Sequence, residues 1–273
     1  MCRQDVFPVL DTLRPPTAYG EISDAISICA YRDTTGAAGT LAFLPRHGAD
    51  HTLAPHKVPY RANLAALRSL GVRQVLATCI AGSLRRRIRP GDLVVPDQFV
   101  DLTWGRDPDG PPDLVHVPMA DPYCPRLRAL CAEVGLNAGL RTHRRGTVVV
   151  IQGPRFSTRA ESRWFTRQGW SLVNMTQHPE CYLAREFGLC YATMAMITDY
   201  DVGVGRRRAR FASDAPARPV LEVFRRNVTA LTDLLVTAAT QLPLDGLCGC
   251  ERPLPPEYYK AREQGEIEVG ETA

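Results

Sequence analysis

The sequence predicts one α/β domain built around a mostly central sheet. Short apolar and β-branched runs alternate along the chain with segments of helical periodicity, as strands and helices do in this class. The length of 273 residues allows one large domain or two small ones. Because the alternation runs on without an internal repeat, we expect one domain.

The first half of the chain predicts a hairpin, a helix and two further extended segments. Residues 25–31 and 40–44 are apolar runs joined by a glycine-containing turn, which makes a hairpin of them. Residues 59–70 open with proline and are followed by glycine, as helices often are. An apolar run at 73–79 indicates a buried strand, and 93–100 is a second extended segment.

The second half continues the same alternation. Strands are predicted where β-branched or apolar residues run together, at 146–151 and 190–197. Helices are predicted at 126–134, 158–168, 180–187 and about 219–241, the last with apolar side chains at three- and four-residue spacing. The stretch from residue 244 to 273 is rich in proline and then acidic, and we expect its end to be mobile or to lie on a neighbouring subunit.

The composition is that of a soluble globular protein, with 45% hydrophobic and 23% charged residues. No apolar run reaches the length of a membrane span, and residues 1–8 lack an apolar signal core, so we expect no membrane partner and a cytoplasmic protein. The net charge of +4 is mild, and the basic runs are short and lack interleaved aromatic residues. We therefore expect no nucleic-acid partner.

The nine cysteines are scattered, and several lie inside apolar runs. This pattern favours buried, reduced thiols over a disulfide framework. Cys248 and Cys250 form a C-x-C pair, but no second cysteine or histidine pair at zinc-like spacing lies nearby in the sequence. We accordingly expect no metal.

Polar residues follow apolar strands in several places, which is where open α/β sheets bind ligands. Arg46 and His47 follow the strand at 40–44, and a guanidinium suits a phosphate as well as a surface ion pair. In A-T-C-I-A-G-S-L, residues 77–84, small residues allow backbone N–H groups to approach a ligand closely.

Two later segments have the same character. In G-P-R-F-S-T-R-A-E-S, residues 153–162, Phe156 either packs under its turn or stacks on a planar ligand, and Ser157 is a candidate helix cap. Residues 174–176, N-M-T, stand between an apolar run and a helix start, where unpaired N–H groups favour anions. In T-D-Y-D, residues 198–201, two carboxylates end a buried strand and need partners there, for which the donors of a purine are suitable.

Taken together and in order, these segments resemble the trimeric purine nucleoside phosphorylases, most closely the 5′-methylthioadenosine phosphorylase branch. The motifs are P-R-H-G, P-Y-R-A-N, G-P-R-F-S-T-R-A-E-S, N-M-T-x-x-P-E and T-D-Y-D, and the match covers roughly residues 18–240. The resemblance implies the nucleoside phosphorylase fold, a single α/β domain with a mixed central sheet flanked by helices. It also implies a homotrimer with shared active sites, no cofactor, and phosphate as co-substrate attacking C1′ of a 5′-modified purine nucleoside.

The resemblance also implies roles for individual residues. For phosphate these are Arg46, His47, Cys79, Ile80 and Thr176. For the nucleoside they are Phe156, Asn174, Met175 and Val220, with His116 from the neighbouring subunit. Asp199 would face N7 and the 6-amino group, with Asp201 assisting. An acid with a pKa raised by burial can share its proton with N7 as the glycosidic bond breaks. An aspartate at this position favours adenine over a 6-oxopurine.

Two departures from the family pattern leave alternatives open. Residues 1–17 lack the glycine-rich phosphate loop with which the family begins, so we treat them as a divergent segment before a domain at 18–243 and a tail at 244–273. Water could then replace phosphate, making the protein a hydrolase, or the protein could bind a nucleoside without turnover. Arg206, Arg207 and Arg208 form either a solvated loop or a site for an acidic 5′ group.

Overall fold

A computed structural model describes residues 7–33, 36–106, 116–204, 217–242 and 248–250, with the backbone alone for 217–228. The N-terminal part forms a small antiparallel sheet in the order β1-β2-β3, from Val9–Leu13, Ile26–Arg32 and Ala38–Phe43. The predicted hairpin is confirmed by the pairing of β2 with β3. Strand β1 lies within the predicted divergent segment and pairs with β2.

The central sheet has the order β6-β8-β9-β4-β10-β5-β7. Its strands in chain order, β4 to β10, are Gln74–Ser83, Leu93–Val94, Gln98–Leu102, Thr142–His143, Thr147–Ile151, Leu172–Asn174 and Cys190–Tyr200. The sheet is mixed, since β4 runs parallel to β10 and antiparallel to β9. The predicted extended segment at 93–100 is divided into β5 and β6, and Pro96 lies in the break between them.

Five α-helices and one 3₁₀ turn, Pro55–Lys57, are present in the described part of the chain. Helices α1 to α5 are Tyr60–Ser69, Pro125–Asn137, Arg159–Gln168, Gln177–Glu186 and Ala217–Thr240. All five helices predicted from the sequence are found, with ends shifted by a few residues. None of the helices in the described ranges has the length and apolar character to cross a lipid bilayer.

Strand β10 lies at the centre of the core, and Cys190–Ile197 are all buried. Ala192, Met194 and Met196 pack in the cluster formed with α2 and α5. On the opposite face of the strand, Tyr191 packs with residues of α1 and α4. Helices therefore cover both faces of the sheet, and the α/β class with a mixed central sheet is confirmed.

Strand β4 is only partly enclosed by neighbouring strands. It pairs with β10 along its whole length, whereas β9 joins it only at Gly82 and Ser83. Among the described residues, no strand pairs with the other edge of residues 74–81. That edge consequently presents backbone groups beside the positions at which the candidate site residues gather.

Candidate active site

The candidate site is arranged along β4. The guanidinium of Arg46 donates from Nη1 to the carbonyl of Thr78 at 3.2 Å, and Asp199 of β10 stands across from Gly82. The two positions are four residues apart on β4, about 13 Å along the strand. The enzyme hypothesis requires Arg46 and Asp199 to lie near one shared site. Both residues lie beside strand β4.

Arg46 is held by Glu180, a residue of α4. The guanidinium donates from Nε to Oε2, and from Nη2 to Oε1 at 2.7 Å, so the pair is bidentate. Tyr191 donates to the same carboxylate at 3.0 Å. Burial works to lower the pKa of Arg46, but the Glu180 carboxylate outweighs it and raises the pKa. Arg46 is thus permanently charged and fixed in direction.

The same contacts leave Arg46 able to bind an anion. A guanidinium has five N–H donors. Glu180 takes two of them and Thr78 one, so two donors have no acceptor among the described residues. N–H donors on a rigid, planar guanidinium suit the oxygens of a phosphate.

His47 lies next to Arg46 and is half-buried. Its Nδ1 lies 2.7 Å from the carbonyl of Leu53, which requires the proton on Nδ1 and leaves Nε2 for another partner. Burial lowers the pKa of His47, and the Arg46 charge acts in the same direction. The neutral imidazole is therefore favoured in the absence of an anion.

The start of α4 brings polar atoms to the same place. Thr176 stands at the N-cap of α4 and is buried, yet its hydroxyl caps no backbone N–H of the helix. The Asn174 amide donates to Cys79 Sγ at 3.4 Å, while its Oδ1 is buried without a hydrogen-bond partner in the described part of the chain. Burial raises the pKa of Cys79 to about 11, so the thiol stays neutral. A buried acceptor without a partner indicates a ligand or water.

Arg106 organises the loop beside these residues. Its guanidinium donates to the carbonyls of Met175 at 2.7 Å and His178 at 2.8 Å, and it also contacts Gln152. Gly153 has a φ of 63°, and a Cβ there would lie 2.7 Å from Met175 Sδ. The end of β8 and the start of α4 are thereby joined closely around Met175.

At the other end of the site, β10 has an irregularity between Ile197 and Asp199 that turns its last residues out of the regular ladder. Thr198 donates to Asp199 Oδ1 at 2.7 Å. Burial raises the pKa of Asp199, the nearby Asp201 carboxylate raises it further, and the Thr198 hydroxyl opposes both. Asp199 therefore has the character of an acid that holds a proton more readily than a free aspartate.

Asp201 is buried and accepts a hydrogen bond from Ser157 at 2.6 Å. Its Oδ2 has no partner among the described residues. The expectation that Ser157 caps α3 is wrong, because Thr158 is the N-cap. Thr158 and Glu161 complete a capping box, since Thr158 is three residues before Glu161. Ser157 is thereby free to orient Asp201.

Three other candidates lie at the surface of the chain. Phe156 is 83% exposed, so it does not pack under its own turn. Ile80 is exposed although it belongs to β4, and His116 is also exposed. The arginines at 206–208 lie outside the described residues, as does the side chain of Val220.

The sequence did not point to Glu180, Arg106 or Ser157 as site residues. Glu180 is present in the N-M-T-x-x-P-E motif, so its position was visible although its partner was not. Arg106 lies in no motif, and its contacts cross about 70 residues of chain, so no local signal exists for it.

A separate group of side chains could hold a metal. The sulfur atoms of Cys124, Cys190, Cys248 and Cys250 lie within 4.8 Å of one another. The expectation of no metal rested on the lack of a second pair near Cys248 and Cys250 in the sequence. The lack of a nearby pair in the sequence does not exclude a site, because the fold brings Cys124 and Cys190 to Cys248 and Cys250.

The fold and the site can be compared with known proteins. The family model described as the phosphorylase superfamily matches residues 19–240. The S-methyl-5′-thioadenosine phosphorylase of Mycolicibacterium smegmatis is 49% identical over 234 residues, covering 85% of this chain and 84% of the relative. The purine nucleoside phosphorylase of Streptomyces coelicolor is 45% identical over 248 residues, covering 87% and 85%.

Solved structures give the same result. The methylthioadenosine phosphorylase from Schistosoma mansoni in complex with adenine superimposes with a TM-score of 0.75 and is 35% identical. The similarity covers 87% of this chain and 86% of that one. The apo form of the same protein gives a TM-score of 0.74.

Proposed function

The chain belongs to the phosphorylase superfamily, and on that premise we propose that it cleaves the N-glycosidic bond of a 5′-modified adenosine with phosphate as nucleophile. The products are adenine and the 5′-modified ribose 1-phosphate. We propose a 5′-methylthioadenosine-like nucleoside as the substrate, because similar proteins are named methylthioadenosine phosphorylases. The observation that carries the proposal is the placement of Arg46 and Asp199 beside one strand, with anion donors at one position and an acid of raised pKa at the other.

Phosphate is assigned to the Arg46 end of β4. The two remaining guanidinium donors, the Thr176 hydroxyl, the His47 side chain and backbone groups near Cys79 and Ile80 are the proposed partners. Because the Cys79 thiol is neutral, it adds no negative charge against a dianion. These groups are the phosphate residues that the family resemblance implies, and they bind the anion here without the glycine-rich loop that residues 1–17 lack.

The nucleoside is assigned to the space between the two ends. Met175 and Asn174 lie at the ribose, and the exposed ring of Phe156 packs on the base. Asp199 faces N7 and the 6-amino group, and Asp201 assists, its free Oδ2 being available to a donor of the purine. His116 reaches the 5′ group from a neighbouring subunit, and Val220 lines the same region.

The reaction then follows from the charges that develop. As the bond between C1′ and N9 breaks, its electron pair moves into the purine, and Asp199 shares its proton with N7. Positive charge grows on the ribose, and a phosphate oxygen bonds to C1′ from the opposite face. Fixed donors around the phosphate hold it in the direction of attack, which lowers the entropic cost of the step.

The assembly, location and organisation of the chain belong to the same proposal. We infer a homotrimer with shared active sites in the cytoplasm, a domain at 18–243 and a tail at 244–273. Arg206, Arg207 and Arg208 are proposed contacts for an acidic 5′ substituent. Replacing all three with alanine and measuring the selectivity between adenosine and AMP tests this assignment.

The deciding experiment measures adenine release from 5′-methylthioadenosine over a range of phosphate concentrations, with the sugar product identified by mass spectrometry. We expect a rate that saturates with phosphate and a sugar 1-phosphate as product. Adenine release that ignores phosphate and yields the free sugar would establish the hydrolase alternative. Nucleoside binding without turnover at any phosphate concentration would establish a binding subunit.

A further inference from the structure

Four cysteines from distant parts of the chain form a compact cluster away from the active site. Their sulfur atoms all lie within 4.8 Å of one another. The Sγ atoms of Cys124 and Cys248 are 3.6 Å apart, and those of Cys190 and Cys248 are 3.0 Å apart. Cys124, Cys190 and Cys250 are each at most 4% exposed, and Cys248 is partly buried.

The cluster joins three elements. Cys124 immediately precedes α2, Cys190 is the first residue of β10, and the C-x-C pair follows α5. Gly249, between Cys248 and Cys250, has a φ of 74°, a backbone conformation that glycine adopts readily. Asp199 lies near the opposite end of β10, so this cluster is separated from the active site by most of a strand, roughly 30 Å.

The sulfur spacing fits a single ion. A tetrahedral zinc with Zn–S bonds of about 2.3 Å places its sulfurs about 3.8 Å apart. The two closest contacts, at 3.6 and 3.0 Å, are somewhat shorter than that value, and no pair of the four sulfurs is more than 4.8 Å apart. A multi-iron cluster needs its thiolates spread around several metal atoms and does not fit in this space.

The pattern of contacts also favours an ion over disulfides. A disulfide joins two sulfurs and does not require a third sulfur to lie close to either of them. Cys248 instead lies close to both Cys124 and Cys190, and Cys250 is in the same group. Among divalent ions, zinc is redox-inert and prefers a closed tetrahedral set of four thiolates in structural sites.

We propose that Cys124, Cys190, Cys248 and Cys250 together bind one structural zinc ion. Binding breaks four S–H bonds, forms four Zn–S bonds and releases four protons to solvent. The ion fastens residues 248–250 to the start of α2 and the start of β10. It takes no part in the glycosidic chemistry, so the proposal is independent of the proposed function.

The first test is the metal content of untagged full-length protein purified under reducing conditions, measured by inductively coupled plasma mass spectrometry. We expect about one zinc per chain. Cys131 provides a matched control, because it is fully buried in the same core yet outside the cluster. Cys124→Ala should lose the zinc, whereas Cys131→Ala should retain it.

A second measurement uses the wild-type protein, so it tests the proposal even if the Cys124→Ala variant fails to fold. Removing the zinc with a chelator and adding Co²⁺ should produce the visible absorption of tetrahedral cobalt thiolate, which stoichiometric Zn²⁺ should abolish. Chelation should also lower the melting temperature, and Zn²⁺ but not Mg²⁺ should restore it.

Three results would overturn the proposal. The first is metal-free protein with an intact mass four hydrogens short per chain, which means two disulfides. The second is metal-free protein with all thiols titratable and no cobalt spectrum. The third is stoichiometric iron in place of zinc.

Discussion

Asp199 is the residue to which we assign proton transfer to N7 of the purine. Its pKa is raised by burial and by Asp201, and its hydrogen bond from Thr198 fixes one oxygen. An asparagine there keeps the size of the side chain but has no acidic proton to share with N7. The Asp199→Asn substitution therefore tests the proton transfer with little change in side-chain size.

Asp199→Asn should lower kcat/KM for 5′-methylthioadenosine by about 10²–10⁴-fold, the usual contribution of general acid–base catalysis. The fall should be smaller for inosine, since an amide can donate to O6 where a carboxylate repels it. Steady-state kinetics on both nucleosides measure the two effects. Unchanged rates with adenine nucleosides would show that Asp199 has no catalytic role.

Glu180 positions the arginine assigned to phosphate. Their ion pair is largely buried, with side-chain exposures of 18% for Arg46 and 7% for Glu180. Removing one member of such a pair leaves an uncompensated charge and costs about 3–5 kcal/mol of stability. Glu180→Ala should therefore lower the free energy of unfolding by that amount and raise the KM for phosphate.

The control for this prediction is the second buried pair, Arg61 with Glu186. Glu186→Ala should cost comparable stability without altering the KM for phosphate. Chemical denaturation and phosphate titrations compare the two variants. Equal effects of both on the KM would mean that Glu180 supports the fold alone.

At the scale of elements, the start of α3 divides two duties between neighbouring residues. Thr158 and Glu161 close the helix end with a capping box, while Ser157 donates to Asp201 in the site. The division explains why a hydroxyl is present at both positions. It also allows structure and chemistry to be changed separately within one turn.

Thr158→Ala should destabilise the protein by about 1 kcal/mol, as loss of a helix cap does, with kinetics unchanged. Ser157→Ala should instead lower kcat/KM by about 10- to 100-fold, because a hydrogen bond to a charged group is worth about 1.5–3 kcal/mol. Thermal denaturation and steady-state kinetics measure the pair. The assignment fails if the two variants exchange these effects.

At the scale of the whole molecule, the helices cover both faces of the sheet and leave the site at one region of β4 and the ends of its neighbours. The exposed side chains of Phe156 and His116 lie on the outside of this chain. Side chains assigned to a substrate site are expected to be shielded from solvent when the substrate is bound. In the proposed trimer, a neighbouring subunit shields them.

Sedimentation should accordingly give a mass about three times the chain mass of 30.2 kDa. His116→Ala should raise the KM for the nucleoside. Mixed trimers of His116→Ala and Asp199→Asn subunits should recover activity, because some sites then receive intact residues from both chains. A monomer in sedimentation, or mixtures no more active than their components, would contradict the shared site.

Much of this protein could be read from local patterns. All five helices and the strands at 25–31, 40–44, 73–79, 146–151 and 190–197 were predicted because their periodicity and end signals are properties of short segments. The ordered motifs led to the family for the same reason. Strands β1, β7 and β9 were missed, and the last two, of two and three residues, are too short to carry periodicity.

Contacts between distant segments were decided by the tertiary structure. Glu180 binds an arginine 134 residues away, and Cys248 meets Cys124 from a distance of 124 residues. Neither pairing is indicated by the sequence around its two residues, because strand order and helix packing determine which segments meet. Local sequence patterns thus indicated the helices, most strands and the family motifs. The order of the strands and the packing of the helices determined which distant residues hold the site residues in place.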